Sequence, residues 1–134
     1  SVAIAVEGGL FTPVIKNANY LNLRNISVQM KDYVIKANAG KLLPEDYEGG
    51  NFSISNLGMY GIDRFSAIIN PPQSGILAVG SISKKPIVID NEVKICNIMT
   101  CQLSGDHRAI DGAVGARLLK EFKGLIENPV KMIV

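Results

Sequence analysis

The stretch from Val93 to Leu103 constrains this chain more than any other. It is largely apolar, in part β-branched, and contains neither proline nor glycine, so it reads as one long strand. A strand of this kind needs a sheet partner and something to cover its apolar face. Pro86-Ile87-Val88-Ile89 just upstream reads as a second strand, and Asp90-Asn91 between them as a turn. Downstream, Leu103-Ser104-Gly105-Asp106-His107-Arg108-Ala109-Ile110-Asp111-Gly112 leads into a helix. There Val114, Leu118, Phe122, Leu125 and Ile126 recur at helical spacing, while Lys120, Glu121 and Lys123 lie off the stripe. Pro129 stops that helix. The apolar tail Val130 to Val134 is expected to dock on another surface, a subunit contact being one candidate.

The rest of the chain supplies the other elements. Val2 to Val6 alternates Val/Ile with Ala and reads as a buried strand, Glu7-Gly8-Gly9 as a turn, and Pro13-Val14-Ile15 as the start of another extended piece. A helix follows, with Leu23, Ile26, Met30, Tyr33, Val34 and Ala37 on one face, Asn22 placed to cap its start and Gly40 to close its end. Leu43-Pro44-Glu45-Asp46 opens a short turn or helical segment that Gly49-Gly50 ends. Phe52 to Leu57 reads as a strand. Ala67-Ile68-Ile69 is extended up to Asn70-Pro71-Pro72, and Gly75 to Gly80 is a short apolar piece. The expected fold class is α/β, an α+β two-layer sandwich with a mixed sheet and two long helices mainly on one face.

Composition excludes several classes. At 134 residues, 47% hydrophobic and 19% charged, the chain reads as one globular domain. A formal charge of +2, scattered along the sequence, does not point to nucleic acid. No apolar run approaches the length of a membrane span, and no basic start followed by an apolar stretch marks a signal peptide. Ser-Val-Ala-Ile-Ala-Val at the beginning looks like the middle of a strand, as in a chain that starts inside a larger protein. Cys96 and Cys101 are five apart in one strand, hence on opposite faces, and read as small buried thiols of a reducing compartment. With one histidine and no CxxC, no zinc or other metal site is expected.

His107 is the only histidine, placed where a strand gives way to a helix between Gly105 and Gly112. Such junctions project side chains into clefts. An imidazole of pKa about 6.5 can take and return a proton near neutrality. Taken alone, it is more often a surface residue than a base. Asp111, four positions on, can orient this loop or cap the helix. Ser53 and Ser55 alternate along their strand and, taken alone, read as its polar face.

The blocks in combination say more. His107-Arg108-Ala109-Ile110-Asp111-Gly112 resembles the His-x-x-x-Asp-Gly signature of the chloramphenicol acetyltransferase superfamily, and with Asp106 and Ala113 it looks like the dihydrolipoamide acyltransferase branch. Gly50 to Gly61, Ala67 to Gln73 running into Ile76 to Gly80, and Gly9 to Ile15 are similar to further blocks of that branch, in the same order and across essentially the whole chain. Ser55-Asn56-Leu57-Gly58-Met59 is similar to the acetyl-transferring members of pyruvate dehydrogenase complexes; succinyl-transferring members usually carry Thr-Asn-Gly-Gly there, and branched-chain members are the closer alternative.

The resemblance implies a chloramphenicol acetyltransferase-like fold and acyl transfer from acetyl-dihydrolipoamide to coenzyme A, with His107 as base, Ser55 as donor to the tetrahedral oxyanion and Asp111 supporting the histidine loop. Asn70 and Pro71, with Pro72, would shape a substrate channel, a plain structural turn being the equal alternative there. It implies a homotrimer, with histidine and serine from adjacent subunits, building a hollow cubic or dodecahedral core that works with decarboxylase and dihydrolipoamide dehydrogenase components. The bacterial cytoplasm or the mitochondrial matrix is the expected setting. The lipoyl group would be attached to a domain outside this sequence, and no metal would be needed. Residues 1–134 would be the C-terminal part of the catalytic domain, because that domain is longer on its N-terminal side and is preceded by lipoyl and subunit-binding domains. Other readings are an acetyltransferase acting on a small hydroxyl compound and a non-catalytic scaffold subunit of the core.

Overall fold

The computed structural model describes residues 1–132. Its centre is a three-stranded mixed sheet in the order β3 (Ser53–Asn56), β4 (Gly75–Ile89), β5 (Glu92–Gly105). β3 runs parallel to β4, and β4 antiparallel to β5. A two-stranded hairpin, β1 (Ile4–Val6) and β2 (Gly9–Phe11), stands beside it. Two helices complete the α/β arrangement: α1 (Leu23–Asn38) and α2 (Gly112–Glu127).

Local chemistry accounts for most of the element ends. Asn22 Oδ1 accepts from the Asn25 N–H at 2.8 Å and caps α1, and Gly40 leaves it in the left-handed region at φ 63. Asp111 Oδ1 accepts from the Val114 N–H at 2.8 Å and caps α2. Asp90 and Asn91 both have positive φ, 52 and 64, the conformation a two-residue hairpin between right-twisted strands requires. Cys96 and Cys101 lie on β5 as free thiols.

The structure corrects the sequence reading at four places. Gly75–Gly80 and Pro86–Ile89 are one strand, joined through Ser81–Lys85. The junction is a bulge: Val79 pairs with Cys101 and Ile82 with Met99, so Gly80 and Ser81 together face Thr100. Pro86 is tolerated where β4 has a partner on one side only. Second, the strand expected over Val2–Val6 shortens to Ile4–Val6, with only Ile4 buried. Third, its partner is Gly9–Phe11, whereas Pro13 and Val14 are buried without belonging to a strand. Fourth, on α1 Ala37 is buried but Leu23 and Val34 of the same stripe are exposed. Of the tail, Val130 and Met132 are exposed in the single chain, and Ile133 and Val134 lie outside the described residues.

Pleating sorts the sheet into two faces. Residues paired side by side share a face, so Ser53, Ile76 and Ser104 point one way, together with Ser55, Ala78 and Gln102. Leu103 points the other way, toward α2: a Cβ added at Gly115 of that helix would sit 3.2 Å from Leu103 Cδ2. The Ser55 face is crossed by the loop after β3. Ser66 Oγ accepts from Gln102 Nε2 at 2.7 Å, Ile62 O accepts from the Ser81 N–H at 2.8 Å, and a Cβ at Gly80 would fall 2.1 Å from the Asp63 carbonyl oxygen. The core is small, comprising Ile4, Val14, Ala37, Ile76, Leu77 and Ala78. Along the half of the ribbon beyond β3, Ile82, Val88, Val93 and Ile95 are at least 70% exposed.

Candidate active site

His107 sits in the tight turn between β5 and α2. The turn closes on itself through the Ala109 and Ile110 N–H groups, both donating to the Asp106 carbonyl at 2.9 Å. It hangs from the residue just before β4, because the Asp106 N–H donates to the Ser74 carbonyl at 2.8 Å. The Asp106 carboxylate braces it further, accepting from Arg108 Nη2 at 2.6 Å, Arg108 Nε at 3.0 Å and the Arg108 N–H at 3.0 Å. The forked guanidinium and that backbone donor hold the Asp106 carboxyl down to about 2, and the carboxylate in turn raises Arg108. With its two neighbours tied together, His107 itself stands exposed.

Ile110 anchors the other side of this turn, a role sequence reasoning missed. Its side chain lies against three glycines. A Cβ would fall 3.1 Å from Ile110 Cδ1 at Gly75, 3.3 Å from Ile110 Cβ at Gly105, and 4.0 Å from Ile110 Cγ2 at Gly115. Phe52 closes the same seat, 2.9 Å from the Gly75 position. The signal was in the sequence as Gly75, Gly105 and Gly115. It could not be read there because what the glycines leave room for comes from a third segment.

Ser55 lies half-buried on β3, level with Ala78 and Gln102. His107 lies beyond Gly105, level with Gly75. Two strand spacings across and three residues along put about 14 Å of sheet between Ser55 and the end of β5. The structure therefore places His107 and Asp111 together at one sheet end and keeps Ser55 of the same chain away from them. Ser53, two residues before Ser55, is buried and donates its hydroxyl to Gln73 Oε1.

Asn70 and Pro71 are in the turn leading into β4. The Gln73 N–H donates to the Asn70 carbonyl at 3.0 Å, and Asn70 Nδ2 approaches Thr12 Oγ1 at 3.4 Å. Two clefts lie elsewhere. One of about 320 Å³ is bounded by the β1–β2 hairpin and the end of α1; another of about 600 Å³ runs between the bulged half of the ribbon and α2, past Met99, Cys101 and Phe122. Neither touches Ser55 or His107. Among the described residues, no group of three potential metal ligands converges.

The model of the 2-oxoacid dehydrogenases acyltransferase (catalytic domain) matches residues 1–134. The chain belongs to this family. It is 54% identical, over 134 residues, to the dihydrolipoyllysine-residue acetyltransferase component of the pyruvate dehydrogenase complex of Rickettsia felis, covering 100% of this chain and 32% of that protein. The chain thus spans about a third of the length of such curated relatives. A crystal structure of Azotobacter vinelandii dihydrolipoamide acetyltransferase superposes with a TM-score of 0.94 at 31% identity, covering 99% of this chain and 55% of that one. The cubic core of a pyruvate dehydrogenase multienzyme complex gives 0.94 at 30% identity, covering 99% and 55%.

The A. vinelandii acyltransferase was studied for the catalytic role of a serine, a histidine and an asparagine. There the histidine follows the serine by 52 positions and the asparagine follows the histidine by 4. Ser55, His107 and Asp111 repeat both intervals, with aspartate in place of asparagine.

Proposed function

We propose that the protein of which this chain forms part transfers an acetyl group from acetyl-dihydrolipoamide to coenzyme A, as the core acyltransferase of a pyruvate dehydrogenase complex. The observation that carries this reading is the pair of intervals that Ser55, His107 and Asp111 share with an acyltransferase of 0.94 TM-score. Residues 1–134 are then the C-terminal part of the catalytic domain. The lipoyl group arrives as a substrate on a domain outside this sequence, and coenzyme A is the second substrate.

The chemistry follows from the groups involved. A thiol of pKa about 8.5 is mostly protonated at neutral pH. His107, exposed on a braced turn, takes the coenzyme A thiol proton as the sulfur attacks the thioester carbonyl. The C–S bond to coenzyme A forms, and the carbonyl oxygen becomes an oxyanion. The Ser55 hydroxyl donates to that oxygen, a contribution of about 10²–10³ in rate when such a donor is well placed. Collapse breaks the C–S bond to lipoamide, and the leaving sulfur recovers the proton from His107. Asp111 caps α2 and so fixes the end of the histidine turn. No cysteine is acylated.

Because Ser55 and His107 of one chain lie apart, the site takes its serine from one subunit and its histidine from the next. A homotrimer satisfies this, and the superposition on the cubic core of a pyruvate dehydrogenase multienzyme complex supports assembly into a larger core. Decarboxylase and dihydrolipoamide dehydrogenase components would work on that core. The relative in Rickettsia felis supports a bacterial cytoplasmic setting, with the mitochondrial matrix as the alternative. No helix among the described residues is long and apolar enough to cross a membrane.

The test is acetyl exchange between acetyl-CoA and dihydrolipoamide by the full-length protein, wild type against His107→Ala. The variant should assemble normally and lose most of its turnover; activity within a few-fold of wild type would remove His107 from the reaction. Succinyl-CoA, a branched-chain acyl-CoA and chloramphenicol, run in parallel, identify the acyl donor and acceptor classes.

A further inference from the structure

Gln73 is a large polar side chain with only 8% of its surface exposed, and the mechanism above does not use it. Its Oε1 accepts the hydroxyl proton of Ser53, itself 3% exposed, and its Nε2 donates to Ser1 Oγ. The neighbourhood has no slack. A Cβ at Gly50 would fall 2.5 Å from Gln73 Nε2 and 2.7 Å from Ser1 Oγ. A buried amide with both ends engaged holds whatever it connects, because breaking either bond leaves an unsatisfied group out of water.

It connects the turn before β4 to β3. Gln73 closes the turn from Asn70, and Ser53 begins the strand that carries Ser55 on the same face two residues later. The strand is short, four residues with β4 on one side and only the bridge from Val2 on the other. Backbone bonds hold it on both edges, the Ile54 N–H donating to the Ser1 carbonyl at 2.8 Å and the Ala3 N–H to the Ile54 carbonyl at 2.9 Å, and the buried Ser53–Gln73 pair adds a side-chain tie at its start. The His107 turn is held by neighbouring groups, the Ser74 carbonyl and the Ile110 seat that Phe52 closes, so the pH profile is the readout that separates a shift of Ser55 from a shift of His107.

We propose that Gln73 is a positioning residue for acyl transfer: by locking Ser53, it holds β3 so that the Ser55 hydroxyl meets the oxyanion. The proposal rests on the functional reading above. A donor misplaced by a fraction of an ångström still binds nothing less in the ground state, because the oxyanion exists only later. The effect must then appear in kcat and leave KM unchanged.

The experiment measures acetyl exchange by the full-length assembled protein for Gln73→Leu, Ser53→Ala, Ser55→Ala and the Gln73→Leu/Ser55→Ala double variant. Gln73→Leu should lower kcat about tenfold, with both KM values within twofold and the pH profile of kcat/KM unmoved. Ser53→Ala, a smaller change that still tests the link should Gln73→Leu fail to fold, should show the same pattern. The double variant should be no slower than Ser55→Ala alone, since the lock acts only through that hydroxyl. Multiplicative losses in the double variant, a rise in KM at constant kcat, or normal turnover in both Gln73→Leu and Ser53→Ala would overturn the proposal. If His107→Ala stays active, the functional reading itself fails. If His107→Ala is inactive while the Gln73 and Ser53 variants turn over normally, the positioning role alone fails.

Discussion

Replacing Gly80 by alanine tests the placement of the loop over the Ser55 face. The added Cβ would sit 2.1 Å from the Asp63 carbonyl oxygen, 2.8 Å from the Asp63 carbonyl carbon and 3.1 Å from the Thr100 carbonyl oxygen. Cβ contacts below 3.0 Å are essentially never seen, so the Asp63 segment must retreat by about 1 Å. That segment is tied down beside the clash. The Ser81 N–H donates to the Ile62 carbonyl at 2.8 Å, and Lys85 Nζ pairs with Asp63 Oδ1 at 2.8 Å. A retreat of this size takes the Ser81 bond out of hydrogen-bonding range. Overpacking costs about 1–3 kcal/mol and the lost bond about 1 kcal/mol, so a destabilisation of roughly 2–4 kcal/mol is expected. The superposed A. vinelandii chain is nearly twice as long as this one, and a domain of that size loses about 2–4 °C per kcal/mol. The domain transition, followed by differential scanning calorimetry on the full-length protein, should therefore fall by roughly 4–16 °C. Gly124→Ala is the matched control. It lies inside α2 with nothing within 4 Å of the new Cβ, so the transition should hold or rise slightly. A Gly80→Ala protein melting within a degree or two of wild type would refute the close crossing of Asp63 over the bulge.

Three other outcomes are expected. Asp111→Asn should keep the α2 cap and retain turnover within about twofold, while Asp111→Ala should cost about 1 kcal/mol and several-fold in kcat; equal losses in the two would assign the effect to the carboxylate charge. The Asp106 carboxyl is depressed from its ordinary 3.8 to about 2 by Arg108, so the bracing of the turn is fully present above pH ~4 and disappears as pH falls through about 2. Arg108→Gln should return that carboxyl toward 3.8 in a carbon-13 NMR titration, and an unmoved titration would deny the pairing in solution. Burial pushes the Cys101 thiol up, leaving little thiolate at neutral pH, so Cys96→Ser and Cys101→Ser should each leave kcat within twofold; a trapped acetyl-cysteine would contradict direct transfer.

What could be read in advance was chemistry acting over a few residues. Asn22 and Asp111 cap because an Asx side chain reaches the N–H three positions on, and Asp90-Asn91 turns because those residues tolerate positive φ. The α1 stripe shows the limit of periodicity. It identifies an apolar face but not what covers it, and Leu23 and Val34 are exposed while Ala37 is buried. The joining of two expected strands into β4 was illegible because the bulge at Gly80 and Ser81 is shaped by Asp63 and Ile62, contacts distant in sequence. The site residues were named through a family pattern. Spacing alone would have left Ser55 as a polar-face serine and Ser53 as its equal, whereas burial and the bond to Gln73 separate the two.

The proposed acyl transfer makes one demand on assembly that can be counted. A thioester carbon attacked beside His107 needs its oxyanion donor within about 3 Å, and about 14 Å of sheet lies between Ser55 and the strand end that carries the histidine of the same chain. On the function proposed above, two copies then meet, the serine of one against the histidine of the next. Ser55→Ala and His107→Ala subunits each lack one half of every site when assembled alone. Co-expressed at equal levels and mixed at random in a ring, they place an intact serine beside an intact histidine at about one contact in four. Mixed particles should recover about a quarter of wild-type turnover, far above either parent. Recovery should vanish when the two proteins are assembled separately and mixed afterwards. If co-assembled particles, verified as mixed by mass spectrometry, stay as inactive as the His107→Ala parent, each site takes both groups from one chain and the shared-site geometry is wrong.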